Sequence, residues 1–155
     1  MGVNATSEQE HPRGKNIVEY TLPGGWRVLA GRTETANDYL SLRLARPGDL
    51  WFHVRGMPGS HVVLRVEPGS TGPDRTTREL AAAIAAYHSK GRGGGIVPVS
   101  CTEARHVSKR AGSKPGAVEI RKETVLKVRP LNDAAIGRLH PCPPASGNRP
   151  EEQGP

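Results

Sequence analysis

The side chains able to do chemistry gather in two stretches. The first, Asp49-Leu-Trp-Phe-His-Val-Arg-Gly-Met-Pro-Gly-Ser-His-Val62, places Asp49, His53, Arg55, Ser60 and His61 on two short strand-like runs and the turn between them. A hairpin there brings His53 and His61 opposite one another across the ladder. Three chemistries fit these residue types. Ser60 as nucleophile, a histidine as base and Asp49 as orienter would make a hydrolase or nuclease. His53 and His61, joined by His88 or His106, would make a metal site. Arg55 with the Gly59 and Ser60 backbone amides would cradle a phosphate or a base. The stretch lacks the Gly-x-Ser-x-Gly elbow of many serine hydrolases, which weighs against the first. A plainer alternative has Asp49 bracing the turn and a histidine beside Trp51 and Phe52 serving as a satisfied polar group of the core.

The second stretch, Thr102-Glu-Ala-Arg-His-Val-Ser-Lys-Arg-Ala-Gly-Ser-Lys-Pro-Gly116, carries Arg105, Lys109, Arg110 and Lys114 among hydroxyls and glycines. Residues 102–129 hold eight Lys or Arg against three Glu, a local excess of five positive charges. Cationic groups on a Gly/Pro loop can follow a phosphate chain, which a rigid apolar surface cannot. A merely solvated loop would use the same residue types, but the concentration of charge in one segment favours binding. Gly91-Arg-Gly-Gly-Gly95 is not a nucleotide loop by its context. It follows a helix and precedes a strand, whereas phosphate cradles follow a strand and open a helix. It reads as a flexible connector within reach of an RNA backbone.

The elements that must position these groups are legible from periodicity. Residues 17–22 alternate, meet Pro23-Gly24-Gly25 and continue as residues 26–30, a hairpin with Trp26, Val28 and Ala30 on one face. Thr33 or Thr35 can cap a helix through Ala36, Tyr39, Leu40 and Leu44, which Asn37-Asp38 weakens. Residues 50–54 and 61–66 are dense in strand formers. Residues 74–90 form the best helix, with Asp74 or Thr76 as cap, Glu79 placed for a capping box and Gly91 as stop. Residues 96–99 read as a strand that Pro98 keeps from full central pairing, and Cys101 ends it. Residues 118–121 and 124–128 read as a second hairpin over Lys122-Glu123. The fold class expected is α+β, a mostly antiparallel sheet with one good helix and a second short one.

Composition bounds the rest. The 155 residues suit one domain with spare length, and 19 Gly and 14 Pro leave roughly 110–120 residues able to pack. Residues 1–14 read as a flexible arm, residues 15–130 as the domain, and residues 131–155 as a Pro/Gly-rich tail that cannot pack. The net charge of +7 favours an anionic partner. With only 4% aromatic residues, most at core-like positions, recognition would lean on backbone and shape more than on base stacking. Two cysteines make no disulfide framework, the N-terminus has no signal-peptide pattern, and no apolar run reaches transmembrane length. These features predict a cytoplasmic chain without a membrane partner.

At the two chemical stretches the sequence resembles the NFACT-R domain of the RqcH/NEMF (fibronectin-binding-protein-like) family. The resemblance runs from about Tyr20 to Pro130. It rests on the 49–55 run with Pro58-Gly-Ser-His-Val62, on Gly31-Arg32, Asn37-Asp38-Tyr39-Leu40 and Ala45-Arg46-Pro47, and on Thr102, Val107, Lys109, Gly112, Lys114-Pro115-Gly116 and Val118. It implies an RNA-binding module without chemistry, cofactor or metal of its own, facing tRNA or ribosomal RNA and the large ribosomal subunit. Asp49, His53, Arg55, Ser60 and His61 would be its contact residues, with Lys109 and Lys114 on the phosphate backbone, to which the local charge excess adds Arg105 and Arg110. In that family the domain accompanies others that serve ribosome-associated quality control, including C-terminal tailing, and the tailing does not transfer to this segment. The sequence departs from the family at Cys101, often a Tyr there, and at Arg105, often a Lys. A hydrolase using Asp49, His53, Ser60 and His61, or a DNA-binding module, is the rival expectation.

Overall fold

Alternating strand formers build the first hairpin as the pattern requires. In the computed structural model, which describes residues 16–139, β1 (Ile17–Thr21) pairs antiparallel with β2 (Arg27–Gly31). Gly24 and Gly25, at φ of 92° and 85°, make the left-handed turn between them. Thr33 then caps α1 (Glu34–Tyr39), its Oγ1 accepting from the Ala36 N–H at 3.0 Å. The helix widens into a π turn over Leu40–Leu44, where the Ala45 N–H reaches the Leu40 carbonyl at 2.9 Å. Next come β3 (Leu50–Val54), β4 (Val62–Leu64), α2 (Arg75–Tyr87) and β5 (Val97–Glu103). A 3-10 turn (Ala104–His106), β6 (Val107–Ser108), β7 (Glu119–Ile120), β8 (Thr124–Val128) and α3 (Asp133–Leu139) complete the order. The main sheet is antiparallel throughout, β1-β2-β4-β3-β5-β8, and β6-β7 form a small second one. The fold is α+β, mostly sheet.

Both faces of the main sheet are covered, so its strands are apolar on both sides. Val28, Ala30, Phe52, Val54, Val62, Leu64 and Val99 meet α2, whose run from Ala81 to Ala86 is buried. Small side chains let that helix lie close to the strands. Leu29, Trp51 and Val63 point the other way and meet α1, the π turn and β6 through Ala36, Leu40 and Val107. Neighbouring residues of β3 thus serve opposite cores, Trp51 one and Phe52 the other, as the period of two demands.

Four expectations are corrected. Residues 118–121 and 124–128 do not pair with each other. Lys122, at φ 56°, turns the chain so that β7 joins β6 while β8 joins β5. Pro98, by contrast, does keep β5 from full central pairing, as expected, since it pairs with Lys127 of β8 but has no partner in the β3 register. β3 leaves the ladder at Val54↔Val99, and the Arg55 N–H donates to the Pro98 carbonyl at 2.9 Å. The reciprocal bond, which proline cannot give, falls where the ladder ends. Cys101, a free thiol, is buried in mid-strand. Asp74 caps α2, accepting from the Thr77 N–H at 2.9 Å, so Glu79 lies too far along for a capping box and instead accepts from Arg75 Nε at 2.9 Å.

The fourth concerns the chain after Pro130, which does pack at first. Ile136 of α3 is buried against the α2 side of the sheet, and the Leu131 N–H reaches the Ala83 carbonyl. The expected arm at residues 1–14 and the remainder of the expected tail, residues 140–155, lie outside the described residues. No helix among the described residues is long and apolar enough to cross a membrane.

Candidate functional site

The β3–β4 register places His61 opposite His53, one step beyond Phe52↔Val62, and the rings lie 5.3 Å apart, edge to face. Trp51 completes the group, stacked on His53 at 6.0 Å and edge-on to His61 at 5.1 Å. Trp51 and His61 are buried and His53 half-buried, so only His53 opens outward. A hydrogen-bonded chain holds the buried pair. Trp51 Nε1 donates to Ser41 Oγ at 2.8 Å, and Ser41 Oγ lies 2.8 Å from His61 Nδ1. The indole can only donate, so Ser41 Oγ accepts on that side and joins the buried ring to Trp51. The His61 N–H donates to Asn37 Oδ1 at 3.0 Å. Burial, then the neighbouring His53, hold the His61 imidazole down at about 4. Burial also lowers His53, against hydrogen bonding to the Gly59 and Val54 backbone.

Asp49 lies at the other end of β3, roughly 13 Å from His53 by strand rise. It is fully buried. Its Oδ1 accepts from the Val66 N–H at 2.9 Å, and its Oδ2 accepts from the Arg46 N–H at 2.9 Å and Arg65 Nη1 at 3.0 Å. Asp49 is placed as a brace, with no surface open to a ligand. Ser60 is buried at the end of the 55–60 turn, and no hydrogen bond joins its hydroxyl to either histidine among the described residues. The hydrolytic arrangement of Asp49, His53 and Ser60 therefore does not assemble. Nor does any group of three His, Cys, Asp or Glu side chains converge on a metal position among the described residues.

The turn is pinned to the chain leaving α2. The Ser60 N–H donates to the His88 carbonyl at 3.0 Å and the Lys90 N–H to the Pro58 carbonyl at 3.2 Å. Between these bonds Gly59 passes so close that an added Cβ would meet Ser89 Cβ at 2.9 Å, which explains the glycine.

The basic loop folds over the histidines. Asp38 on α1 accepts from the Gly116 N–H through Oδ1 at 3.0 Å and pairs with Lys109 Nζ through Oδ2 at 3.2 Å. Lys109 Nζ also donates to the Lys114 and Ala117 carbonyls at 2.7 and 2.9 Å. An ammonium has three donors, and all three are used. Lys109 is a clamp that shapes the loop. Lys114 is exposed, with no side-chain partner among the described residues, and Arg110, 75% exposed, pairs with Glu119 at 2.6 Å. Arg55 is half-exposed and sits 3.5 Å from Glu123, which accepts from Ser100 Oγ. Arg105 is not brought to this group. It lies beside Pro47 and Gly48 at the Asp49 end of β3, paired with Glu103 at 2.7 Å.

This division gives a simple expected result. Lys109→Ala should lower stability by about 1–2 kcal/mol through loss of the loop clamp, while Lys114→Ala should leave stability within about 0.5 kcal/mol. Urea midpoints for the two variants check this, and equal midpoints would remove the clamp.

The two sequence stretches thus meet in one cleft of about 320 Å³, with Trp51, His53, Arg55 and His61 on one wall and residues 116–118 on the other. Sequence reasoning missed Ser41, Asn37 and Asp38 as the groups that tie them together. The signal was available: Asn and Asp inside a short helix work against propensity, and side-chain contacts explain their presence. It also gave no binding role to Arg32 and Lys90, which with Arg92 of the 91–95 connector line a second cleft on the far side of the turn.

Known proteins share this arrangement of segments. The Rqc2 homolog RqcH of Bacillus subtilis is 38% identical over 129 residues, covering 83% of this chain and 22% of that protein. The Rqc2 homolog RqcH of Streptococcus suis is 36% identical over 126 residues, with 81% and 22% covered. The chain therefore spans about a fifth of the length of these relatives. A solved structure, the C-terminal part of the fibronectin/fibrinogen-binding protein from Streptococcus suis, superposes with a TM-score of 0.74 at 34% identity. That match covers 81% of this chain and 49% of the solved one. The sequence profile of the NFACT protein RNA-binding domain matches residues 18–122, which include β3, the turn, the clamp and the basic loop, and the chain belongs to that domain family.

Proposed function

We propose that the cleft between the 55–60 turn and the 109–118 loop binds RNA, with tRNA or ribosomal RNA of the large subunit as the class of ligand. The observation that carries this reading is the convergence of two distant stretches on one cleft, lined by the exposed Arg55 and closed by residues 116–118 of a loop that carries the exposed Arg110 and Lys114. Phosphates meet those three side chains, and His53 faces the strand from the cleft wall. Arg105 extends the contact toward the other end of β3. Asp49, His61 and Lys109 act beneath the surface by holding its shape. Ser60 acts through its backbone at the turn. The kinship with Rqc2 homologs supports a place for the module in ribosome-associated quality control in the cytoplasm, as a binding element and not as an enzyme.

Fluorescence anisotropy over a salt series tests the surface. Binding of tRNA should weaken linearly in log[salt]. Changing Arg55, Arg110 and Lys114 together to Ala should lower that slope by about 2–3, at about 0.7–0.9 for each phosphate no longer neutralised. Thermal unfolding of the triple variant should match that of the parent. An unchanged slope would overturn the assignment, and a DNA duplex binding as tightly as tRNA would move it to nucleic acid in general.

A further inference from the structure

The 55–60 turn is a ridge with a cleft on either side. The second cleft, of about 570 Å³, is walled by the end of β2, the start of α1, the turn and the residues that follow α2. Its size lies in the range of small-ligand sites, about 300–1,000 Å³. Its walls are fixed to one another by the two backbone hydrogen bonds and the close passage at Gly59 described above, so little ordering is left for a ligand to impose.

Its cations differ from the arginines that flank the first cleft and the far end of β3. Arg55, Arg105 and Arg110 each have a carboxylate partner. Arg32 and Lys90, both exposed on this cleft, make no side-chain hydrogen bond or ion pair among the described residues. Beside them the Arg92 guanidinium lies over the Tyr87 ring at 4.0 Å from its centroid. Its Nη2 donates to Tyr87 Oη at 2.9 Å and to Asp133 Oδ1 at 3.0 Å, so the plane is held in place while the side chain stays half-exposed. Glu34 adds a carboxylate to the lining. Two unpaired cations suit a phosphate. A held guanidinium plane suits the face of a base, and a carboxylate accepts from the amino groups on a base edge.

We infer that this second cleft holds one unpaired nucleotide, its phosphate at Arg32 and Lys90 and its base on the Arg92–Tyr87 stack. The inference rests on the RNA-binding reading for the source of the nucleotide, a base turned out of a strand that crosses the ridge. A module built this way prefers RNA with an unpaired residue over a continuous duplex of equal charge.

The test uses the whole chain. Amide shifts are recorded by NMR during titration with each of the four nucleoside 5′-monophosphates and, separately, with inorganic phosphate. Nucleotides should shift the amides of Arg32, Ser60, Ser89 and Lys90, saturate at lower concentration than phosphate, and leave the 110–116 loop unmoved. Arg32→Gln with Lys90→Gln should weaken this binding about tenfold or more, and Arg92→Ala should reduce nucleotide affinity to that of phosphate. In anisotropy the double variant should lose the preference for RNA with an unpaired residue but keep duplex binding. Shifts absent from this cleft, equal effects of phosphate and nucleotide, or a preference that survives the double variant would each overturn the inference. Loss of all RNA binding in the Arg55, Arg110 and Lys114 triple variant bears only on the first cleft, so the two readings fail separately.

Discussion

Replacing Asp49 with alanine is expected to lower stability by about 3–5 kcal/mol, the scale for removing one partner of a buried ion pair. The carboxylate is fully buried and accepts from two backbone N–H groups and the Arg65 guanidinium. Alanine leaves all three donors in place with nothing to receive them, and Arg65, 16% exposed, cannot swing freely into water. Its remaining bond, to the Leu44 carbonyl at 3.1 Å, does not neutralise the charge. Asn at this position keeps one acceptor but turns an amide toward the Arg46 N–H and Arg65, donor against donor, so Asp49→Asn should also be markedly destabilised. Because domains of this size are stable by about 5–15 kcal/mol, such a loss takes about a fifth or more of the total. Denaturant unfolding measures it directly. A folded Asp49→Ala protein of nearly parental stability that had lost RNA binding would reverse the assignment, making Asp49 a contact after all.

Asp49 also shows where sequence reasoning stops. Its type and position suggested a turn brace or a catalytic orienter, and nothing in the residue string separates these. Burial and partners do, and the partners Arg65 and Val66 come from beyond the second strand. Lys109 repeats the lesson. Charge counting marks it as one of four equivalent cations, whereas in the fold its three donors go to Asp38 and two loop carbonyls. What was legible was whatever depends on local period: the first hairpin, the Thr33 cap, α2 and the facing of His53 and His61. The 124–128 strand was legible too, but its partner was not. Pairing between β5 and β8 is decided by a left-handed Lys122 and by Glu123 turning back to Ser100, contacts that no window of neighbouring residues contains. The short helix α3 was hidden by composition, since the Pro and Gly content of the last residues masks Ile136, which finds a place in the core with Leu131 and Leu139 packed against it.

Acid should remove about 3 kcal/mol of stability through His61 alone. With a folded-state value of about 4 against 6.5 for the free side chain, His61 is neutral in both states above pH 6.5 and contributes no pH dependence there. Below pH 6.5 the unfolded chain binds a proton that the folded protein refuses, so stability falls until pH reaches about 4, at about 1.4 kcal/mol per unit of separation. The physical reason is burial beside Trp51 and then the neighbouring His53, both of which disfavour a second proton on the ring. His61→Gln cannot titrate. Carboxylates and His53 also titrate in this range, but they do so in both proteins, so the difference between the two stability curves from pH 7.5 to pH 4 reports His61 together with its coupling to His53. The parent should lose the extra increment and the variant should not, and parallel curves would end the claim. The same property separates scaffold from contact in RNA binding. A histidine that met phosphate directly would gain charge and tighten binding between pH 7 and pH 6. His61 stays neutral through that interval, so RNA affinity should change no more in the parent than in His61→Gln. A gain that vanishes with His61 would place its imidazole against the nucleic acid and not beneath it.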